Sequence, residues 1–343
     1  MHLREPGQTH KEDWDSGTCA ALAGGLTLVL AMPNTKPPIF DADTLDLALD
    51  SAKRKAHCDY AQFLGAGPDN AEAVAALAPM AAGLKMYLDS TFGELRLDDM
   101  SLWMLHFENF PKEYPIVVHA EGRSMAAAIL FAAIYDRPVH IAHISLREEV
   151  LLIKAAKQRG IQVTCEVCPH HLFLSTDDIP AILHDHPGRG EVRPRLATKA
   201  DLQALWENLD LIDCFATDHA PHTVAEKDGD NPPPGFPGLE TILPLLLTAV
   251  HNGRLTIDQV IEKLHTNPKR IFNLPEQPET WVEVDENDGY EIHAADLHSR
   301  CGWTPFEGWQ VNGRVRKVVL RGKTAFEDGK ILAKPGYGRN VRK

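Results

Sequence analysis

The chain has 343 residues, 44% of them hydrophobic and 24% charged, enough for one large core or two smaller ones and too apolar for long disorder. Its formal net charge of -13 excludes the basic stripe with which a nucleic-acid binder neutralises phosphates. No apolar run approaches the roughly 20 residues that span a bilayer and no basic-apolar leader opens the chain, so a cytoplasmic protein without membrane contact is expected.

In chain order, residues 13–24 read as a helix ended by Gly24-Gly25, and Leu26–Met32 as a buried strand stopped by Pro33-Asn34. A helix over 41–56 with Asp41 as N-cap precedes the strand Tyr60–Leu64, and an Ala-rich helix follows from about Asn70. Gly83–Leu88 is a short strand, residues 89–94 a polar loop and 98–109 a helix. Pro115–His119 and Val139–His143 are strands separated by a helix over 124–135. Ser145 and Glu148 read as a capping box opening a helix that runs to Gly160. The strand Gln162–Glu166, a helix over 199–209 and the strand Asp213–Asp218 complete the alternation.

Seven strand-helix steps, with near-continuous apolar strands and short connections, mean a parallel sheet covered on both faces. A (β/α)8 TIM-type barrel over residues 1–275 fits them better than an open doubly wound sheet, whose glycine fingerprint is absent. The count is one short, and the chain begins with no first strand. Beyond a Pro-rich loop at 232–238 and further helices, the short alternating strands within 276–335 read as a small β module, and 336–343 as a linker. Six scattered cysteines suit a reducing compartment. Cys165 and Cys168, three apart on a strand, point to opposite faces and read as no metal or redox pair.

In such a barrel, side chains at the C-terminal ends of the strands face one mouth. Those ends carry Asn34, Lys85, His119, His143, Glu166 and Asp218, with His2 at the chain start and His222 after the last strand. Singly, each reads as a strand-rim residue; together, the histidines and carboxylates suit Zn²⁺. Lys85 needs a separate account, because an ammonium has no lone pair. Buried near cations, it would become a neutral amine able to add CO2, giving a carbamate with two oxygens that can bridge two metals.

The motifs His2-Leu-Arg-Glu-Pro-Gly, Met32-Pro-Asn-Thr, Gly83-Leu-Lys-Met-Tyr, His119-Ala-Glu, Glu166-x-x-Pro-His-His and Thr217-Asp-His-Ala-Pro-His resemble dihydroorotase of the amidohydrolase superfamily. The likeness runs through essentially the whole chain, including Pro232–Thr241 and Trp303–Glu307, and is strongest to the dihydroorotase domain of the animal multifunctional pyrimidine-synthesis polypeptide. It implies that His2 ligates one zinc, carbamylated Lys85 bridges a pair, His119 and His143 hold the second, and Asp218 is ligand and proton shuttle. It implies that Arg4, Asn34 and His222 bind the substrate carboxylate, that Thr91 and Phe92 lie in a mobile loop, and that Glu166 is an accessory ligand. The implied reaction is reversible cyclisation of N-carbamoyl-L-aspartate to dihydroorotate. A homo-oligomer associated with carbamoyl-phosphate synthetase and aspartate transcarbamoylase is implied as well.

The family's His-x-His motif is represented only by its second histidine, His2. The expectation is therefore a fragment with one zinc ligand and one strand missing, weak or inactive alone. Two other readings stay open: another cyclic amidohydrolase of the dihydropyrimidinase or allantoinase kind, and an inactive scaffold.

Overall fold

The computed structural model describes residues 1–183 and 186–342, so Lys343 of the expected linker lies outside the described residues. Short parallel strands form the centre: Leu28–Ala31 (β1), Asp59–Gln62 (β2), Leu64–Gly65 (β3), Leu84–Tyr87 (β4), Ile116–His119 (β5), Val139–Ile141 (β6), Val163–Val167 (β7) and Cys214–Phe215 (β8). At Phe63 the chain changes partners, its N–H bonding Ala31 O at 2.9 Å while the Leu64 N–H bonds Gly83 O at 3.0 Å. β2 and β3 are thus one strand with a break, and the order β1 to β8 is that of a seven-stranded parallel barrel wall.

Apolar side chains dictate this arrangement. β4, β5 and β6 are buried on both faces, as strands clothed by helices must be. The helices Trp14–Ala23 and Ala42–Lys55 start at Asp13 and Asp41, whose carboxylates accept the N–H of Ser16 and Thr44. The expected Ser145–Glu148 capping box is not what forms. The helix begins at Arg147, and the Glu149 carboxylate accepts the N–H groups of Ser145 and Leu146 at 2.9 and 3.1 Å. Glu149 is buried where Glu148 is exposed, so it alone can reach back under the turn.

β1 and β8 do not pair with each other. At the mouth the first two residues join them. The Met1 ammonium donates to Leu30 O at 3.1 Å, Met32 N–H donates to Met1 O at 2.9 Å, and His2 N–H donates to His219 O at 2.7 Å.

Trp281–Glu291 (β9), Gln310–Leu320 (β10), Lys323–Glu327 (β11) and Lys330–Ile331 (β12) form an antiparallel sheet in the order β12-β11-β10-β9. Its Val315, Val318, Leu320 and Phe326 share one core with Trp14, Leu22 and Val29, so the module is welded to the barrel's flank. Residues expected as a terminal linker dock as well. Gly338 N–H donates to Ala56 O at 2.8 Å, Tyr60 N–H to Arg339 O at 2.9 Å and Val341 N–H to Tyr60 O at 2.9 Å. Those carbonyls and amides flank the N-terminal end of β2, whose backbone needs partners that composition does not reveal. Among the described residues no helix is long and apolar enough to cross a membrane.

Gly7 is a sharp test of the entrance. Its φ is +89°, and a Cβ there would lie 2.0 Å from Lys36 O. Gly7→Ala is expected to lower the unfolding free energy by about 2–4 kcal/mol in urea titration, since both left-handed strain and the clash act.

Candidate active site

The strand ends and the first residues converge on a cavity of 760 Å³ lined by His2, Arg4, Asn34, Lys85, Thr91, Phe92, His119, His143, Glu166 and Asp218. Three of these residues are delivered by strained backbone: Arg4, His143 and Asp218 have φ of 58°, 39° and 36°. Strand geometry alone would alternate the side chains; a left-handed residue just past a strand end re-aims one inward. The cavity continues down the seam between β1 and β8, past Leu28, Leu30, Phe215 and Leu243.

His2 anchors the donor set. Asn34 Nδ2 donates to Phe92 O at 2.9 Å, which fixes the amide so that Asn34 Oδ1 accepts from His2 Nδ1 at 2.6 Å. Burial lowers the His2 imidazole to about 4, so it is neutral at pH 7 and its Nε2 carries a lone pair. That lone pair faces Asp218 Oδ1 at 3.3 Å. Two acceptors so placed repel unless something positive lies between them. Bonds of about 2.0–2.2 Å to one tetrahedral ion put its ligand atoms roughly 3.3–3.5 Å apart, which matches the spacing.

Across the mouth, His119 Nδ1 and His143 Nε2 share a hydrogen bond of 2.9 Å. The remaining ring nitrogens, His119 Nε2 and His143 Nδ1, are buried without a hydrogen-bond partner. Burial first, and then the charge of Lys85, lower His119 to about 3, and His143 falls well below the ordinary range through burial and its neighbour His119. With one proton in that bond and the second on an outer nitrogen, one lone pair is free as the rings stand, and parting the two rings would let each turn a nitrogen to a metal.

Lys85 is 2% exposed, with its ammonium 5.3 Å from the centre of the Tyr87 ring. Burial lowers it to about 8 despite the opposing charges of Glu166 and Asp218. Asp218 completes the set, its Oδ1 facing the lone pair of His2 Nε2. Glu166 reaches the same cavity, its Oε2 3.2 Å from His140 Nε2.

The second wall carries cations. Arg4 is 1% exposed; its Nε donates to Pro221 O at 3.1 Å, and its Nη1 is buried without a partner. The Phe92 ring lies 5.0 Å from the Arg4 guanidinium and 4.9 Å, edge on, from the His222 ring. Phe92 and Thr91 belong to the loop after β4, pinned at one side by Asn34.

Three sets of residues escaped sequence reasoning. Lys11, buried beside His222, follows the opening motif in a charged stretch that looks like an ordinary polar turn. His219, in the motif after β8, turns away from the cavity. Gly238 N–H donates to His219 Nδ1 at 3.1 Å, so the Nε2–H donates to Glu12 at 3.2 Å, and Glu12 also accepts from Ser299 at 2.6 Å. Arg193 also lines the cavity, hydrogen-bonded to Glu191 Oε2 at 2.9 Å. The Cys165 thiol faces Leu211 O rather than Cys168.

No family model matches the chain. It is 58% identical over 342 residues to the multifunctional protein CAD of Squalus acanthias, with all of this chain matching 15% of that protein. The chain thus spans only about one seventh of that relative's length. Dihydroorotase of Pyrococcus furiosus is 36% identical over 356 residues, covering 100% of this chain and 83% of that one. Among solved structures, L-hydantoinase (dihydropyrimidinase) of Arthrobacter aurescens superposes with a TM-score of 0.91 at 24% identity, covering 100% of this chain and 87% of that one, a likeness of fold. The inactive dihydroorotase-like domain of the CAD-like multifunctional protein of Chaetomium thermophilum superposes at 0.83 with 30% identity, covering 99% and 96%.

Glu12 and His219 are both shielded from solvent, and their bond ties the turn after β8 to the entrance. Glu12→Ala is expected to cost about 1.5–3 kcal/mol of unfolding free energy by leaving the imidazole N–H unpaired. Chemical denaturation of the two proteins checks this.

Proposed function

We propose that this chain, which belongs to the dihydroorotase family, interconverts N-carbamoyl-L-aspartate and L-dihydroorotate in de novo synthesis of UMP. The observation that carries the reading is the pair of acceptors, His2 Nε2 and Asp218 Oδ1, facing one another beside buried Lys85, His119 and His143. Those five residues would hold two zinc ions, Lys85 as a carbamate formed from CO2, with Glu166 as an accessory donor. Ions held there would lower the pKa of a shared water and polarise the ring carbonyl.

The chain's own groups do the rest. Asp218, ionised throughout the working range, takes a proton from the attacking water. As the ring carbon–nitrogen bond breaks, it hands that proton to the departing nitrogen; cyclisation runs the same transfers backwards. Arg4 and Asn34 orient the substrate carboxylate, the guanidinium able to bind it bidentately, while His222 beside Arg4 keeps that clamp in place. Such a clamp favours dihydroorotate over uncharged rings such as dihydrouracil. Phe92 now covers the cations from the loop side, so substrate must displace it, and reclosure over the ligand would exclude water.

The likeness to one stretch of a multifunctional polypeptide supports work beside carbamoyl-phosphate synthetase and aspartate transcarbamoylase. Six free cysteines suit the reducing cytoplasm. A second reading, an inert domain, is favoured by the likeness to the inactive Chaetomium thermophilum domain. The convergence of Lys85, His119, His143 and Asp218 on one cavity supports the active one.

Hydrolysis of dihydroorotate by the zinc-loaded protein tests the choice. Activity is expected to exceed that on dihydrouracil or allantoin, and Asp218→Asn should lower kcat by about 10²–10⁴. Absence of turnover at full metal content would leave the inert reading standing. Lys85 gives a pH test on the metal-free protein. Its neutral amine grows as pH rises through about 8, so ¹³CO2 uptake at fixed dissolved CO2 should climb across that value and vanish in Lys85→Ala. A carbamate resonance that ignores pH, or survives the substitution, is incompatible with that role.

A further inference from the structure

His222 stands among more donors than its two nitrogens can accept. Lys11 Nζ lies 3.1 Å from Nδ1, while Arg4 Nη2 and Pro234 O both lie near Nε2, at 3.0 and 3.1 Å. Ammonium and guanidinium alike can only donate and Pro234 O can only accept, so the tautomer that satisfies both Lys11 and Pro234 O carries its lone pair on Nδ1. The ring is held neutral by burial and by the cations Arg4 and Lys11. Its single proton therefore sits on Nε2 and is donated to Pro234 O. Arg4 Nη2 then meets a donor and can make no bond there, and Arg4 Nη1 has no partner either. Two guanidinium N–H groups thus stay free beside the cavity.

We infer that Lys11 is a positioning residue for the carboxylate clamp: by donating to His222 Nδ1 it holds the imidazole in the Nε2–H form and keeps Arg4 unbonded for substrate. This rests on the reading of the cavity as a dihydroorotase site. The geometry gives Lys11 little other freedom. It is 3% exposed, its ammonium is 2.9 Å from Glu226 Oε1 and 4.6 Å from the Phe92 ring centre, and Glu226 is itself held by the N–H of Thr223 at 3.0 Å. Without Lys11, His222 Nδ1 can take the proton and turn it toward Glu226. Nε2 then becomes an acceptor for Arg4, and a charged hydrogen bond inside the protein competes with the substrate carboxylate. Lys11 thus acts on substrate through two intermediaries.

The test has two readouts. In ¹⁵N-labelled wild-type protein, with the His222 ring assigned by His222→Asn, the proton is expected on Nε2; finding it on Nδ1 overturns the inference without any Lys11 variant. In Lys11→Met the proton is expected to move at least partly to Nδ1. KM for dihydroorotate is expected to rise roughly tenfold to hundredfold while kcat changes little, the signature of lost ground-state binding. Lys11→Arg, which keeps the donor, should recover most of the loss. An unchanged tautomer together with an unchanged KM in Lys11→Met overturns the role. If the wild-type protein turns over no dihydroorotate, the functional reading fails while the imidazole measurement still judges Lys11.

Discussion

The contact between His2 and Asp218 closes the barrel and opens its chemistry at once. His2 is held by its backbone to His219 and by its ring to Asn34, so its remaining nitrogen can point only at the Asp218 carboxylate. Both partners are on elements fixed from other directions: Met1 is bonded to the end of β1, and the turn carrying Asp218 is tied through His219 to Glu12. The two acceptors therefore cannot move apart to relieve their repulsion, and a cation is the species that resolves it. The outer nitrogens of His119 and His143 are buried nearby without hydrogen-bond partners. Their desolvation would be a pure cost in a protein that never met a metal.

Much of this was legible from residues alone, for a physical reason. A parallel barrel sends every strand's C-terminal end to one place, so reading a strand that ends in Lys85, His119 or Asp218 amounts to reading a shared location. The limits are equally physical. Periodicity reports burial along one element, and it says nothing of contacts between residues hundreds of positions apart. Lys11 reaching His222, Glu12 reaching His219 and residues 338–341 flanking Tyr60 are all of that kind. The choice of Glu149 over Glu148 as cap turned on which carboxylate faced inward, a one-residue matter that spacing rules do not resolve.

The wall opposite the metal donors obeys a different rule. Arg4, Lys11 and His222 crowd together under Phe92, and Glu226 at their rim pairs with Lys11. Burial works to raise Glu226, yet the hydrogen bonds from Lys11 and the Thr223 backbone pull it down to about 2. One cation is thus neutralised within the protein and the other left for an external anion. The aromatic ring over both offers a weak, displaceable contact of about 0.5–2 kcal/mol, which an incoming anion could replace without breaking a strong bond.

The left-handed backbone at Arg4, His143 and Asp218 carries a consequence for how such a barrel drifts over evolutionary time. Arg4 is the least at ease there, with up to roughly 1–2 kcal/mol of strain that glycine would release, while His143 and Asp218 are side chains this region tolerates better. A barrel of this kind freed from any demand for chemistry would tolerate glycine at these positions. Loss of activity and gain of stability then run in the same direction, a route by which a lineage can keep this architecture intact as a passive building block.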